Sequence, residues 1–326
     1  MKILVYSTLD MEKPYYAGLD KKYGIELEFV KERPTVENAK LASGAEAVSV
    51  ITTPITEEII KELYDNGVKY ISTRNIGYDH IDISKAKEIG MGIGNSSYPP
   101  ENVAEYSLMM MLMALRKVSI ITEDYKKNNY TLAGKMGSLL HGAKVGVIGT
   151  GKIGFAVIKL LSAFGCEIFA YDPFENEEVK KYAKYVTLNT LMEESEIITL
   201  HAPSTKDTEH IINKDSISRM KDGVIIVNAA RGTLIDTEAL IEGLDNGKIG
   251  FAALDVLEGE TSIYYKNFEG KPVPLESIEK LSKYPNVLLT PHTAFYTQNA
   301  IKEMVCNSIK SCVLEIQGET NPWRIV

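Results

Sequence analysis

The chain has 326 residues, of which 44% are hydrophobic and 25% are charged, as in a globular protein of about two domains. Its net charge of −8 argues against nucleic acid as the main partner, because phosphate binding needs an excess of Lys and Arg. The most apolar run, residues 108–115, is far shorter than a membrane span, and the N-terminus lacks the features of a signal peptide. We therefore expect a cytoplasmic protein that binds neither membrane nor nucleic acid.

The first hundred residues alternate short apolar runs with amphipathic segments, a pattern that predicts a parallel sheet with helices on its faces. Strands are predicted at residues 3–6, 26–30, 47–51, 70–72 and 91–93. Helices are predicted at 57–66 and 84–89, each followed by a glycine that ends it. This part of the chain has no glycine-rich nucleotide motif, so it is expected to form a small α/β domain that does not hold a dinucleotide.

The segment Tyr98-Pro99-Pro100 predicts a stiff joint followed by the start of a helix. The helix predicted at 101–117 is apolar almost all round in its middle. Such a helix must be buried, either between domains or in a subunit interface. The following residues, 118–143, are more polar and lead into the next unit of the chain.

Residues 144–172 read as a strand, a glycine turn, a helix, a second strand and an acidic residue. Gly149 permits the tight turn, Gly151 lets the backbone approach a pyrophosphate, and Gly154 lets helix and strand pack closely. The helix N-terminus offers free N–H groups to the phosphates. Asp172 ends the second strand, where it would bind the ribose hydroxyls and repel a 2′-phosphate. This combination predicts binding of NAD rather than NADP.

After Asp172 the alternation resumes. Strands are predicted at 197–200, 224–227, 250–254 and 287–290, and helices around 191–194, 214–220, 237–246 and 275–283. Residues 258–274 are expected to be irregular. The last helix, 298–317, has an apolar side and is expected to pack on the first domain.

Three polar side chains follow separate strands at the edge that also carries the glycine turn: Arg231, Glu260 and His292. Ligands of doubly wound sheets bind beyond the carboxyl ends of the strands. Reduction of a keto acid needs a hydride on carbon and a proton on oxygen, and an imidazole can supply that proton near neutral pH. Glu260 would hold one tautomer of His292, and Arg231 offers a planar fork for a carboxylate.

The remaining histidines and cysteines are given no catalytic role. His201 follows a strand beside Pro203, so it is expected to form a wall of the cofactor cleft. The other histidines, with no carboxylate-bearing strand exit nearby, are expected to be structural or at the surface: His80, His141 and His210. The cysteines lack the spacing of metal ligands, so neither a metal site nor a disulfide is expected: Cys166, Cys306 and Cys312.

Six ordered motifs carry a resemblance to a known family: YISTRNIGYDHID, VGVIGTGKIG, HAPSTKDT, VNAARG, ALDVLEGE and TPHTAFYT. Over essentially its full length the chain resembles the D-isomer-specific 2-hydroxyacid dehydrogenases, and within them the D-lactate dehydrogenase branch. The resemblance implies an NAD-dependent enzyme that reduces a short 2-keto acid such as pyruvate. It also implies a homodimer built on the NAD-binding domain.

The resemblance implies that the catalytic residues are Arg231, Glu260 and His292. It implies that the substrate carboxylate is held by backbone N–H groups around Ile76 and Gly77, with Tyr98 close by and Tyr296 in the pocket. Contacts to NAD are implied for Gly149, Gly151, Lys152, Ile153, Gly154, Asp172, Ala202, Pro203, Thr208, Ala229, Ala230, Arg231 and Asp255. The expected architecture is α/β, with two Rossmann-like or flavodoxin-like domains on parallel sheets. An NAD-binding domain at 100–298 would be inserted into a discontinuous substrate domain formed by 1–99 and 299–326.

Several alternatives stay open. A D-2-hydroxyisocaproate-type dehydrogenase would take a larger 2-keto acid. Two further relatives are disfavoured: Glu260 argues against a formate dehydrogenase, which would carry glutamine there, and the chain length leaves no room for the extra regulatory domain expected of many phosphoglycerate dehydrogenases. NAD-sensing corepressors share the fold and the site residues but act by binding proteins.

Overall fold

The computed structural model describes residues 1–326, which form two compact units. The first, here called the discontinuous unit, consists of Met1–Pro99 and Tyr296–Val326. The second, here called the central unit, consists of Pro100–Phe295. The chain therefore leaves the first sheet, builds the second, and returns to the first with its last helix.

Elements are numbered along the whole chain. The strands are β1 Lys2–Val5, β2 Glu26–Phe29, β3 Ala47–Val50, β4 Tyr70–Thr73, β5 Gly92–Gly94, β6 Lys144–Ile148, β7 Glu167–Tyr171, β8 Lys184–Tyr185, β9 Ile197–Leu200, β10 Val224–Asn228, β11 Ile249–Leu254 and β12 Val287–Leu289. The helices are α1 Lys13–Tyr16, α2 Leu19–Tyr23, α3 Glu57–Asp65, α4 Ile83–Ile89, α5 Glu101–Leu115, α6 Val118–Lys126, α7 Lys152–Ala163, α8 Leu188–Glu194, α9 Lys214–Arg219, α10 Thr237–Asp245, α11 Glu276–Leu281 and α12 Gln298–Gln317.

The discontinuous unit is built on a five-stranded parallel sheet with the order β2-β1-β3-β4-β5. This is the order of flavodoxin-like doubly wound sheets. Helix α12 packs against β3 and β4. Its apolar side is buried as predicted, at Ile301, Met304, Val305, Ile309 and Val313. The predicted return of the last helix to the first sheet is therefore confirmed.

The central unit is built on a seven-stranded parallel sheet with the order β12-β11-β10-β9-β6-β7-β8. Strand order reverses between β6 and β9, which lie side by side although about fifty residues separate them. Such a switch point leaves a crevice at the carboxyl ends of the strands, where this class of sheet binds its ligands. The predicted α/β class with two parallel sheets is confirmed.

Helix α5 corrects one expectation. It ends at Leu115, because Lys117 adopts a left-handed conformation with φ of 52°, and a separate helix α6 follows. Only one face of α5 is buried, against α7, β10 and β11 of the central unit. The helix is thus not enclosed all round within the central unit, and apolar side chains such as Met109 remain partly exposed on its other face.

Other elements were missing from the prediction. Helices α1 and α2 have four and five residues and strand β8 has two, too few to show a periodic pattern. Residues 258–274 are irregular as expected, apart from a short 3-10 turn at Glu260–Ser262. No helix is both long and apolar enough to cross a membrane.

Candidate active site

The glycine turn follows β6 and begins helix α7. Gly149 has φ of 91°, and a Cβ there would lie 2.6 Å from the backbone nitrogen of Ala202. A Cβ on Gly154 would lie 1.9 Å from the carbonyl oxygen of Gly149, so helix and turn are in direct backbone contact. Gly151 differs, because a Cβ there would meet no atom within 4 Å. The protein itself leaves that space open, as a pyrophosphate-binding turn requires.

Asp172 lies just beyond β7 and is fixed beside the turn. One carboxylate oxygen accepts a hydrogen bond from the backbone N–H of Thr150 at 2.7 Å, and the other accepts from Phe174 N–H at 2.9 Å. Each oxygen keeps lone pairs for further donors. The arrangement can therefore accept hydrogen bonds from two ribose hydroxyls and place a negative charge where NADP would carry a phosphate.

The order of the central sheet arrays the other candidate residues along one edge. Next to the glycine turn at β6 lie, in order, the carboxyl ends of β9, β10, β11 and β12. These exits carry in turn His201, Arg231, Glu260 and His292. Because all seven strands are parallel, every one of these side chains belongs to the same edge as the glycine turn.

Glu260 and His292 are joined directly. The His292 Nδ1 atom lies 2.6 Å from one carboxylate oxygen of Glu260, and the other oxygen accepts the Leu257 backbone N–H, also at 2.6 Å. The two side chains are only 24% and 16% exposed. With Nδ1–H donated to the carboxylate, Nε2 is the ring atom that can exchange a proton with a substrate. Such a pair is the arrangement that general acid–base catalysis by histidine requires.

Asp255 fixes the loop that carries His292. Its carboxylate is fully buried and accepts hydrogen bonds from Thr290 Oγ1 at 2.6 Å, Thr293 N–H at 2.9 Å and Ala294 N–H at 2.8 Å. Its backbone carbonyl accepts from the His292 N–H at 2.7 Å. The family resemblance of the sequence implied that Asp255 contacts NAD, and that contact stays a prediction. The hydrogen bonds show an additional structural task that the sequence did not indicate.

Arg231 stands on a turn that is held against the loop after β11. A Cβ on Gly232 would lie 2.1 Å from the backbone carbon of Leu257, so only glycine permits this approach. The buried side chain of Asn228 donates to the Arg231 carbonyl at 2.8 Å and accepts from the Ala230 N–H at 3.0 Å. The guanidinium donates to the Ala230 carbonyl at 2.7 Å. The position of the arginine backbone is therefore set by the same loop that leads to Glu260.

His201 is half-buried after β9, and desolvation of its imidazole lowers the pKa to about 3. Its Nε2 atom lies 2.9 Å from the hydroxyl of Thr199, and its Cβ lies beside the place where a Cβ on Gly154 would be. A neutral imidazole packed beside the glycine turn is consistent with the prediction that His201 forms a wall of the cofactor cleft. It is less consistent with a role in proton transfer.

The expectation that no carboxylate lies near His210 at the end of a strand is wrong. Its Nε2 atom lies 2.6 Å from Glu258, which belongs to the loop after β11. This hydrogen bond raises the pKa of His210, and the second carboxylate oxygen binds the Thr237 hydroxyl at 2.8 Å. The two residues are 48 positions apart in the chain, so no local pattern could have indicated the pair.

The remaining predicted cofactor residues lie around the same edge. Lys152 and Ile153 begin helix α7, and Ala229 and Ala230 follow β10. Ala202 is buried after β9, and the Thr208 hydroxyl donates to the Pro203 carbonyl at 2.6 Å, which closes the loop after that strand. Their contacts with NAD stay predictions. No group of three or more His, Cys, Asp or Glu side chains is arranged to hold a metal ion.

The discontinuous unit holds Ile76 and Gly77 on a loop after β4. Asn95 donates its side-chain N–H to the Ile76 carbonyl at 2.8 Å. Arg74, at the start of the loop, forms a fully buried ion pair with Glu12 at 2.8 Å. This pair was missed in the sequence, because a charged residue at a strand end is usually solvated.

Tyr98 and Tyr296, the other two predicted substrate-binding residues, also belong to the discontinuous unit. Tyr98 is half-buried, whereas Tyr296 is exposed and its hydroxyl contacts the sulfur of Met11. Met11 follows the first strand of this unit. The roles of the two tyrosines in binding a substrate stay predictions.

A parallel sheet with a glycine turn, an acid after its second strand and a His–Glu pair defines an NAD-dependent oxidoreductase. Comparison with known proteins agrees. The sequence model of the family "D-isomer specific 2-hydroxyacid dehydrogenase, NAD binding domain" matches residues 108–294. The chain belongs to the D-isomer specific 2-hydroxyacid dehydrogenase family. It is an oxidoreductase that acts on a CH–OH group and uses NAD.

Similar proteins include enzymes with different named substrates. An aromatic 2-oxoacid reductase of Clostridium sporogenes is 41% identical over 308 residues, covering 94% of this chain and 93% of the relative. A D-lactate dehydrogenase of Lactiplantibacillus plantarum is 40% identical over 315 residues, covering 95% of each chain. The crystal structure of a D-lactate dehydrogenase from Treponema pallidum has a TM-score of 0.89 at 33% identity, covering 100% of both chains.

The two glycines at the start of α7 should respond differently to alanine. Gly154→Ala should destabilise the protein by about 1–3 kcal/mol, because the new methyl group meets backbone and not a movable side chain. Gly151→Ala should change the unfolding free energy by less than about 0.5 kcal/mol, since its φ of −62° suits alanine and the space is open. Denaturant unfolding without cofactor measures both values.

Both variants should bind NADH more weakly in a fluorescence titration. For Gly151→Ala the methyl group would occupy the space reserved for the pyrophosphate. If Gly151→Ala bound NADH with the parent's affinity, the assignment of this turn to the pyrophosphate would be wrong.

Proposed function

We propose that the protein is a D-lactate dehydrogenase, which converts pyruvate, NADH and a proton to D-lactate and NAD. The observation that carries the proposal is the His292–Glu260 hydrogen bond at the sheet edge that also holds the glycine turn and Arg231. Full-length similarity to a D-lactate dehydrogenase supports the choice of pyruvate.

The proposed roles follow from the charges that change in the reaction. When bound, NADH supplies the hydride that adds to C2 of the keto acid. His292 donates the proton on Nε2 to the carbonyl oxygen, so that the C=O bond becomes a CH–OH group. Glu260 accepts the Nδ1–H throughout and stabilises the imidazolium before the proton leaves. Arg231 binds the substrate carboxylate and polarises the neighbouring carbonyl.

Residues of the discontinuous unit are proposed to bind the rest of the substrate. The backbone N–H groups at Ile76 and Gly77 would hold the carboxylate, and Tyr98 and Tyr296 would contact the substrate. The fixed loop supports this role, because Asn95 and the buried Arg74 restrain it on both sides. A preorganised loop binds a small anion without the entropic cost of ordering itself.

A larger 2-keto acid is the second candidate substrate. Leu9, Met11 and Tyr296 of the discontinuous unit are partly exposed apolar side chains, and the Tyr296 hydroxyl contacts the Met11 sulfur. Such side chains would suit a branched or aromatic group better than the methyl group of pyruvate. Similarity to an aromatic 2-oxoacid reductase favours the same alternative.

A homodimer formed through the central unit is also proposed. Residues 118–140 carry a run of exposed apolar side chains, including Leu132 and Met136 at 88% and 87% exposure. These residues follow α5 in the chain, whose outer face is also partly apolar. Exposed apolar surface of this extent marks an interaction site, and a second copy of the chain would cover the same surface on both partners.

A cytoplasmic location agrees with the proposed reaction. All three cysteines are free thiols, as is usual in a reducing compartment. NADH is also available there as a reductant.

The substrate is tested by comparing kcat/KM for pyruvate, 2-ketoisocaproate and phenylpyruvate with saturating NADH. We expect pyruvate to be reduced, with the three values separated by about 10- to 200-fold, because one pocket discriminates by about 1–3 kcal/mol. A higher kcat/KM for phenylpyruvate than for pyruvate would show that the preferred substrate is a larger 2-keto acid and would argue against a D-lactate dehydrogenase. No oxidation of NADH with any 2-keto acid would contradict the enzymatic role and favour an NAD-sensing binding protein.

Glu260→Gln tests the acid–base pair. The variant should lose about 10²-fold or more in kcat, because an amide can orient His292 but cannot stabilise the imidazolium. Its pH–rate profile for reduction should differ from that of the parent. Glu258→Gln is the matched control, since Glu258 binds His210 and Thr237 instead. A Glu260→Gln profile that overlays the parent's would show that the assigned role is wrong.

The dimer is tested by sedimentation equilibrium. The parent should have twice the chain mass of 36.2 kDa, and the double variant Leu132→Glu/Met136→Glu should sediment as a monomer. Phe174→Glu is the control, because this exposed aromatic residue lies outside the 118–140 segment. A double variant that remains a dimer would exclude this surface as the interface.

A further inference from the structure

Tyr265 contacts the backbone of His292. Its hydroxyl donates a hydrogen bond to the His292 carbonyl oxygen at 2.9 Å. Tyr265 belongs to the irregular segment 258–274, in which the sequence indicated a role for Glu260 and none for Tyr265. The hydrogen bond spans 27 positions of the chain and connects this segment to the loop after β12.

Both residues in this contact have left-handed backbone conformations. His292 has φ of 51° and Tyr265 has φ of 64°. A non-glycine residue in this region costs on the order of 1–3 kcal/mol and persists only where the surroundings impose it. Hence neither residue would keep its orientation without specific partners, and the hydrogen bond is one of the partners that each has.

The turn that supplies Tyr265 also supplies Glu260. The backbone N–H of Tyr264 donates to the Glu260 carbonyl at 2.8 Å, and the Ile263 N–H donates to the same atom at 3.0 Å. The side chain of Ile263 is buried and anchors the turn. Tyr265 is therefore held at a fixed distance from Glu260 by consecutive hydrogen-bonded residues.

Together these contacts restrain His292 at three points. Glu260 binds its Nδ1 atom, the Asp255 carbonyl accepts its backbone N–H, and Tyr265 binds its carbonyl oxygen. The first and last come from one turn. If the Tyr265 contact were lost, the peptide after His292 could rotate, and the imidazole would sample other positions relative to the substrate.

We propose that Tyr265 is a positioning residue that holds the His292 backbone for proton transfer. The proposal rests on the proposed acid–base role of His292. Tyr265 acts through the histidine main chain and takes no part in the proton transfer itself. The contribution is expected in the transition state, where displacement of a catalytic group by a fraction of an ångström lowers the rate.

Tyr265→Phe tests the proposal, and Tyr264→Phe is its matched control. The first substitution removes the hydroxyl that binds His292. The second removes the neighbouring hydroxyl, which is buried and has no hydrogen-bond partner. Since the Tyr265 side chain is 60% exposed, its variant should fold as the parent does. Thermal unfolding and NADH titration verify fold and cofactor binding in both.

For Tyr265→Phe we expect kcat and kcat/KM for keto-acid reduction to fall together by about five- to tenfold, the loss expected from one neutral hydrogen bond. Tyr264→Phe should stay within about twofold of the parent. Hydrogen exchange of residues 288–296 should be faster in Tyr265→Phe and unchanged in Tyr264→Phe. A structural role alone would leave kcat unchanged once the protein is folded.

A Tyr265→Phe variant with the kcat of Tyr264→Phe would overturn the proposal, whatever the exchange rates. So would a loss of kcat without faster exchange, because the hydroxyl would then act by another route. The parent is assayed alongside, so a failure of the proposed function is recognised separately. If the parent reduces no 2-keto acid, that function fails and the positioning role fails with it.

Discussion

The buried carboxylate of Asp255 is the interaction on which the geometry of the candidate active site depends. Burying an unpaired carboxylate costs several kcal/mol, so the charge can be fully buried only because donors surround it. All three of its closest donors come from residues 290–294. The loop after β12 is thereby fastened to the end of β11. His292 stands in the middle of that loop, and its left-handed backbone is imposed by these attachments and by Tyr265.

The parallel sheet explains why residues far apart in the chain meet. All strands of the central unit end at the same edge. Strands β9, β10, β11 and β12 lie side by side in the order in which they follow along the chain. Residues after β10, β11 and β12 are consequently neighbours even though tens of residues separate them. The reversal between β6 and β9 puts the glycine turn next to this row. The glycine turn and the His292–Glu260 pair thus occupy one edge because the strands are parallel and lie in this order.

Much of this arrangement could be predicted because it depends on local patterns. The glycines of the turn and the apolar strands are readable from spacing, and most predicted strands end within one or two residues of those observed. Contacts between distant side chains leave no such pattern. The His210–Glu258 pair was misjudged for this reason. For helix α5, an all-round apolar sequence does not tell which face is buried by its own unit. The residue roles in catalysis and NAD binding remain predictions.

Arg74 and Glu12 form a buried ion pair, and burying two charges has a desolvation cost that the sequence did not indicate. Both side chains are essentially inaccessible, and replacing such a pair by apolar residues is often neutral or stabilising in proteins. Stability therefore does not explain the pair well. The geometry of the pair explains it better. Arg74 also donates to the carbonyls of Tyr6 and Ser7, and Glu12 accepts the N–H of Leu9. The pair thus ties the loop after β1 to the loop that carries Ile76. Two segments proposed to meet the substrate keep a fixed spacing, and directional hydrogen bonds set such a spacing in a way that apolar packing would not.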